Sequence, residues 1–146
     1  MNKGSYFLLI ELKKGTVINY GCNSGFFKQG MYIYIGSAMK NLKQRVDRHL
    51  SYKNSSYKKH WHIDNLLEVG DIVTTMVIPN ENRMEEEFSY MVSQLCIPVK
   101  DFGATDCKKV NTNLYHIKNL DEFFSIARKA LEINWKGKSI ENSKVS

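Results

Sequence analysis

Long apolar runs are missing from this 146-residue chain. The longest, such as Tyr6 to Ile10, falls far short of the roughly 20 apolar residues a membrane-spanning helix needs. No basic-then-apolar leader with a cleavage site opens the sequence, so a cytoplasmic protein with no membrane partner is expected. Cysteine is scarce. Cys22, Cys96 and Cys107 are odd in number, widely separated and without CxxC spacing, which argues against a disulfide framework or a zinc ribbon and fits reduced thiols. Internal repeats and low-complexity blocks are also lacking. Acid is scarce in one place above all. Between Lys40 and Lys59 seven lysines and arginines meet a single acid, Asp47, and this segment alone carries the +6 excess of the whole chain. Such a surface attracts polyanions and releases their counterions. A solvated helix face is the plainer fate of a charge run, but the clustering beside Tyr34 and Gly36 favours a nucleic acid.

The remaining composition is that of one packed domain, with 42% hydrophobic residues. The expected domain spans residues 1–135, followed by a polar tail over 136–146. Tyr6–Leu12, Thr16–Tyr20 and Tyr32–Ile35 read as strands, with Gly21–Gly30 a glycine-rich loop. The expected fold class is α/β (α+β): a central, mainly antiparallel three-stranded sheet flanked by helices. From Asn41 the period changes. Leu42, Val46 and Leu50 form an amphipathic stripe, and Arg45, Arg48 and His49 share a flank. His60–Val69 reads as a short helix or half-buried turn, Asp71–Ile78 as a strand, and Glu85–Leu95 as a helix burying Phe88, Met91, Val92 and Leu95. Val99–Phe102 and Leu114–Ile117 are candidate short strands, and Asn119–Glu122 resembles a capping box before a helix over Phe123–Ile133.

Five blocks stand in a telling order: Gly4-Ser5-Tyr6, Tyr32 to Ala38 (YIYIGSA), His60 to Asp64 (HWHID), Glu85-Glu86-Glu87, and Phe102 to Cys107. On these blocks the chain resembles the GIY-YIG nuclease superfamily, and over almost its whole length a branch of uncharacterised archaeal and bacterial proteins. Gly4-Ser5-Tyr6 and Tyr34-Ile35-Gly36 stand for the two half-motifs, Arg45 for the helix arginine, and Arg48-His49 for the Arg-His pair that often follows. Ser5 replaces the usual Ile, and the gap between Tyr6 and Tyr34 is longer than in typical relatives, the excess falling in the glycine-rich loop.

The resemblance implies a metal-dependent endonuclease acting on DNA, in repair or processing, that nicks by in-line attack of water. The alternative is a module on the same fold that binds nucleic acid and cuts nothing. Arg45 has the chemistry to fork two hydrogen bonds onto phosphate oxygens. Tyr6 and Tyr34 could orient or deprotonate the water, although a phenol pKa of roughly 10 requires cationic help. His49 could move a proton or grip a phosphate. One Mg²⁺ or Mn²⁺ would sit on a single helix carboxylate, as in the family. Glu87, beside Phe88 and Met91, is preferred over its rivals Glu85 and Glu86. Lys40, Lys43, Arg48, Lys58 and Lys59 would steer the backbone. Gly36, His62 and Asp64 are expected as structural neighbours, with His62 and Asp64 hydrogen-bonded to each other, Trp61 in the core, and Asp106 and Cys107 closing a turn. A weaker third reading places zinc on His60, His62 and Cys107 or Cys96.

Overall fold

A computed structural model describes residues 1–103 and 110–145, with side chains through residue 136. In chain order the elements are β1 (Gly4–Leu12), β2 (Thr16–Tyr20), β3 (Asn23–Phe27), β4 (Gly30–Ala38), α1 (Leu42–Ser51), α2 (His62–Leu67), β5 (Asp71–Pro79), α3 (Glu85–Ser93), β6 (Ile97–Pro98), β7 (Leu114–Ile117) and α4 (Leu120–Val145). The fold is α+β. Its sheet has five strands in the order β5-β1-β4-β7-β6, every pairing antiparallel.

The sheet is larger than the three strands expected, and β2 is not part of it. Instead β2 pairs with β3, which lies inside the segment read as a loop. The two-residue connection Gly21–Cys22 closes this hairpin, with Gly21 at a left-handed φ of +59° that a side chain would strain. β7 enters beside β4, a long-range pairing that no local pattern announces.

β1 and β4 lie at the centre and are covered on both faces, which is why they read as nearly continuous apolar runs rather than as alternation. Phe7, Leu9, Ile33 and Ile35 face α3 and α4 and pack with Phe88, Val92, Phe123 and Ile126. Leu8, Ile10, Tyr32 and Tyr34 face the other way, onto α1, α2 and the hairpin, and pack with Leu42, Val46, Ile63, Leu66 and Phe27. Each such side chain contributes roughly 1.5–3 kcal/mol of transfer free energy.

Two helix stripes differ from expectation by one member each. On α1, Leu42 and Val46 are buried but Leu50 is exposed, and His49 takes its place. On α3, Phe88 and Val92 are buried, Leu95 lies beyond the helix and is exposed, and Glu85 and Ser89 complete the inner face. α4 starts three residues earlier than expected, with Asn119 Oδ1 accepting from the Glu122 amide, and it runs past Ile133 to Val145. No described helix is long and apolar enough to cross a membrane.

Candidate active site

Tyr6 on β1 and Gly36 on β4 are cross-strand partners. A Cβ on Gly36 would overlap the head of the Tyr6 ring, with Cε2 only 2.7 Å away. The glycine is therefore required sterically: it opens a slot in which the phenol lies flat against β4. Directed this way, the Tyr6 hydroxyl reaches His49 Nε2 on α1 at 2.9 Å, and its ring stands 6.4 Å from that of Tyr34.

Arg45, one turn before His49, lies close to the same hydroxyl. It donates through Nη1 to the Ser37 carbonyl at 2.5 Å and stacks over Trp61 with its carbon 5.0 Å from the ring centre. Ser37 also donates through Oγ to Glu85 Oε1 at 3.4 Å. Residues alternate across the sheet, so Gly36 and Ser37 present to opposite faces. The guanidinium from α1 and the carboxylate from α3 thus approach the end of β4 from its two faces and both terminate on Ser37. Glu85 Oε2 also accepts from Arg83 at 3.2 Å.

The carboxylate at this site is Glu85, while Glu87 is exposed on the outer side of α3. Helical geometry turns Glu87, the carboxylate expected to hold a metal, away from this group. Glu85, Phe88, Ser89 and Val92 follow the i, i+3, i+4, i+7 spacing of one face, and Glu87 turns away from it.

The electrostatics keep the aromatic groups neutral. Burial pushes the Tyr6 hydroxyl well above its ordinary pKa; the Arg45 charge and hydrogen bond pull it back, and Glu85 and Asp64 add to the rise. Burial also raises Tyr34 well above its ordinary value, reinforced by Tyr6 and Glu85 and opposed by Arg45. The Tyr34 hydroxyl has no hydrogen-bond partner among the described residues. His49 is pushed down to about 4 by burial; the charge of Asp64 opposes the shift, and Arg48 and Arg45 reinforce it. Its Nδ1 is buried without a partner among the described residues. A neutral imidazole beside a protonated phenol makes Tyr6 a donor and positioner in the resting state rather than a ready base.

Arg48, expected to steer a nucleic-acid backbone, is engaged inside the protein. Its guanidinium grips Asp64 bidentately at 2.9 and 3.1 Å, donates to the Lys58 carbonyl, and lies against Trp61, Tyr52 and Tyr57. Asp64 is fully buried and also accepts from the His60 and Trp61 amides. Burial raises its pKa, but the Arg48 bond and the two amides more than offset this, and the net shift is downward. The expected His62–Asp64 pair does not form. His62 Nδ1 instead accepts from the Gly103 amide at 2.9 Å, and the ring packs on Tyr20 and Phe102. Trp61 is only half-buried, because its indole serves as a platform under both Arg45 and Arg48.

Lys40, Lys43, Lys58 and Lys59 are exposed as expected. Lys43 pairs with Asp47 and Lys59 with Glu68, both across solvent, where such pairs are weak enough to exchange for a phosphate. His60 is exposed, and Cys96 packs on the opposite sheet face, donating to Glu122, so those two cannot share an ion. Asp106 and Cys107 lie outside the described residues. No cluster of three or more His, Cys, Asp or Glu among the described residues could hold a metal.

Sequence reasoning missed Ser37, ranked Glu85 behind Glu87, and placed Trp61 in the core rather than under the two guanidinium groups. The first two carry readable signals: Ser37 follows Gly36 directly, and Glu85 lies in register with Phe88. No curated protein and no solved structure matches the chain. Residues 5–135 match the family described as "Domain of unknown function DUF123", and the chain belongs to that family.

Proposed function

We propose that this protein is a metal-dependent phosphodiesterase that nicks DNA. The observation that carries the reading is the meeting of Arg45 and Glu85 on Ser37, next to Tyr6, which the Gly36 slot sets, and the neighbouring Tyr34. It joins an anion-binding group, a metal-binding group and water-orienting hydroxyls at the mouth of a basic surface.

Arg45 uses one N–H on Ser37 and has others to fork onto the non-bridging oxygens, where negative charge grows in the transition state. Tyr34 offers its hydroxyl to the attacking water. Tyr6 donates to neutral His49 when Nε2 is unprotonated, and this bond fixes the phenol against β4. Glu85 is the residue that would hold Mg²⁺ or Mn²⁺. Such an ion supplies Lewis-acid charge, which polarises phosphate and acidifies water. Lys40, Lys43, Lys58 and Lys59 draw in the backbone.

The internal satisfaction of Arg45 by Ser37 and of Tyr6 by His49 also suits a second reading, a module that binds nucleic acid without cleaving it. Nicking of supercoiled plasmid with and without Mg²⁺ separates the two. The wild type is expected to nick only with metal. Arg45→Ala and Glu85→Ala are expected to lose about 10²–10³-fold, and Glu87→Ala to stay near wild type. Retained binding with no cleavage in any divalent metal would establish the module instead.

A further inference from the structure

α4 carries two apolar stripes, and the fold uses one. Phe123, Ile126 and Ala130 are buried in the core, with Ile133 packed beside them. Leu120, Phe124, Leu131 and Trp135 are exposed, Phe124 at 60% and Trp135 at 71%. With the half-buried Ala127 they recur at intervals of 4-3-4-4, close to the spacing of a coiled-coil seam. On a helix of 3.6 residues per turn they fall within about 80° of its circumference. Phe124, Ala127, Leu131 and Trp135 line a groove of about 510 Å³, and no described residue of another element contributes to its walls.

Scattered apolar residues on a surface need no explanation, but a contiguous stripe with two aromatic rings does. Its size points to a second copy of the chain. Phe124, Trp135 and the two leucines leave about 450 Å² of apolar surface in water, taking roughly 150–250 Å² for a whole aromatic side chain and somewhat less for leucine. Arg128, Glu132 and Lys136 beside them bring the face near the roughly 800 Å² per partner of a standard interface. Charge selects the orientation. Arg128 and Glu132 lie on one flank of the stripe, 3.3 Å apart and both exposed. In an antiparallel pair with its two-fold axis near residue 130, Arg128 of each copy faces Glu132 of the partner subunit. The same register sets Phe124 against Trp135 of the partner subunit, and Leu131 enters the hole left by the small Ala127. A parallel pair forms neither ion pair.

We propose that two copies of this chain pair antiparallel along this face of α4. The inference is independent of the nuclease reading. It adds a geometry to that reading: α1 and α4 cover opposite faces of the sheet, so pairing through α4 leaves both basic α1 surfaces on the outside of the dimer.

Sedimentation velocity of the full chain tests this. The wild type is expected to be mainly dimer at about 100 μM and to dissociate on dilution. Leu131→Glu and Trp135→Glu are expected to weaken the dimer at least about thirtyfold, the scale of a central hot spot. Both side chains are exposed in the single chain, so the Tm of these variants should match that of the dilute wild type. Arg128→Glu is expected to weaken the dimer about tenfold. Adding Glu132→Arg should return it to within about threefold of the wild type, because the reversed charges again complement each other across the axis. A wild type that stays monomeric at about 100 μM overturns the inference, and so does a dimer whose Kd is unmoved by Leu131→Glu. A double variant no tighter than Arg128→Glu overturns the antiparallel pairing. A monomeric wild type that binds phosphatidylserine vesicles, with Leu131→Glu failing to, would give the face to a lipid surface instead.

Discussion

Gly36→Ala tests the steric logic of the site with a single methyl. The added Cβ overlaps the Tyr6 ring head, and Cε2 at 2.7 Å leaves no room for relaxation by a few tenths of an ångström. The strand has little room to retreat, because β1 pairs with β4 through Gly36 itself and β7 pairs with it as far as Tyr34. The phenol must therefore swing away. Overpacking of this kind costs about 1–3 kcal/mol. The swing also breaks the Tyr6–His49 bond and leaves His49 buried with neither ring nitrogen paired, which costs about 1–3 kcal/mol more. These costs overlap, so a net loss of about 3 kcal/mol is expected, or about 6–12 °C in Tm for a chain of this length. Urea denaturation of a double-mutant cycle measures it. In a Tyr6→Ala background the clash has no partner, and Gly36→Ala should then cost less than about 0.5 kcal/mol. An equal cost in both backgrounds would refute the slot and point to a backbone requirement at Gly36 instead.

Two other predictions concern the supports of the site. Asp64→Ala removes the only carboxylate on Arg48 among the described residues, a side chain just 17% exposed, and also strands two amides; a loss of about 3–5 kcal/mol is expected in urea denaturation. Acid should destabilise the fold in two stages. His49 titrates at about 4 when folded and near 6.5 when unfolded, so the unfolded chain binds more protons between those values. Stability due to His49 is then complete above about pH 6.5 and falls by about 3 kcal/mol as pH drops to about 4. Asp64 has a depressed folded pKa, so its contribution is present above the ordinary aspartate range and is lost at still lower pH. His49→Gln should remove the first stage and keep the second, and a pH series of Tm values reads both. An unchanged first stage would show that another group carries it.

The parts of the fold that were legible in the sequence are those whose neighbours lie nearby in the chain or on both sides of an element. Tyr6–Ile10 and Tyr32–Ile35 declare themselves because both faces of β1 and β4 are buried, so burial replaces alternation with an apolar run. The hairpin was hidden by its glycines. Three glycines between residues 21 and 30 suggest a loop, yet only Gly21 makes the turn, and Gly25 sits inside β3 opposite Ile18. Ile18 and Tyr20 point inward while Val17 and Asn19 point outward, so the period of two was present before the turn, and a Gly-x connection was its continuation. The two corrections at the site have different causes. Glu85 could have been found, since the stripe that buries Phe88 and Val92 runs back to residue 85 and misses 87. Arg48 could not. It shares a flank with Arg45 on α1, and only the docking of α2 decides that Asp64 captures one guanidinium and leaves the other on Ser37. Two arginines alike in sequence thus divide the work. Arg48 spends its charge holding Trp61 and α2 in place, and that packed wall is what keeps Arg45 aimed at the end of β4, where a phosphate would have to arrive.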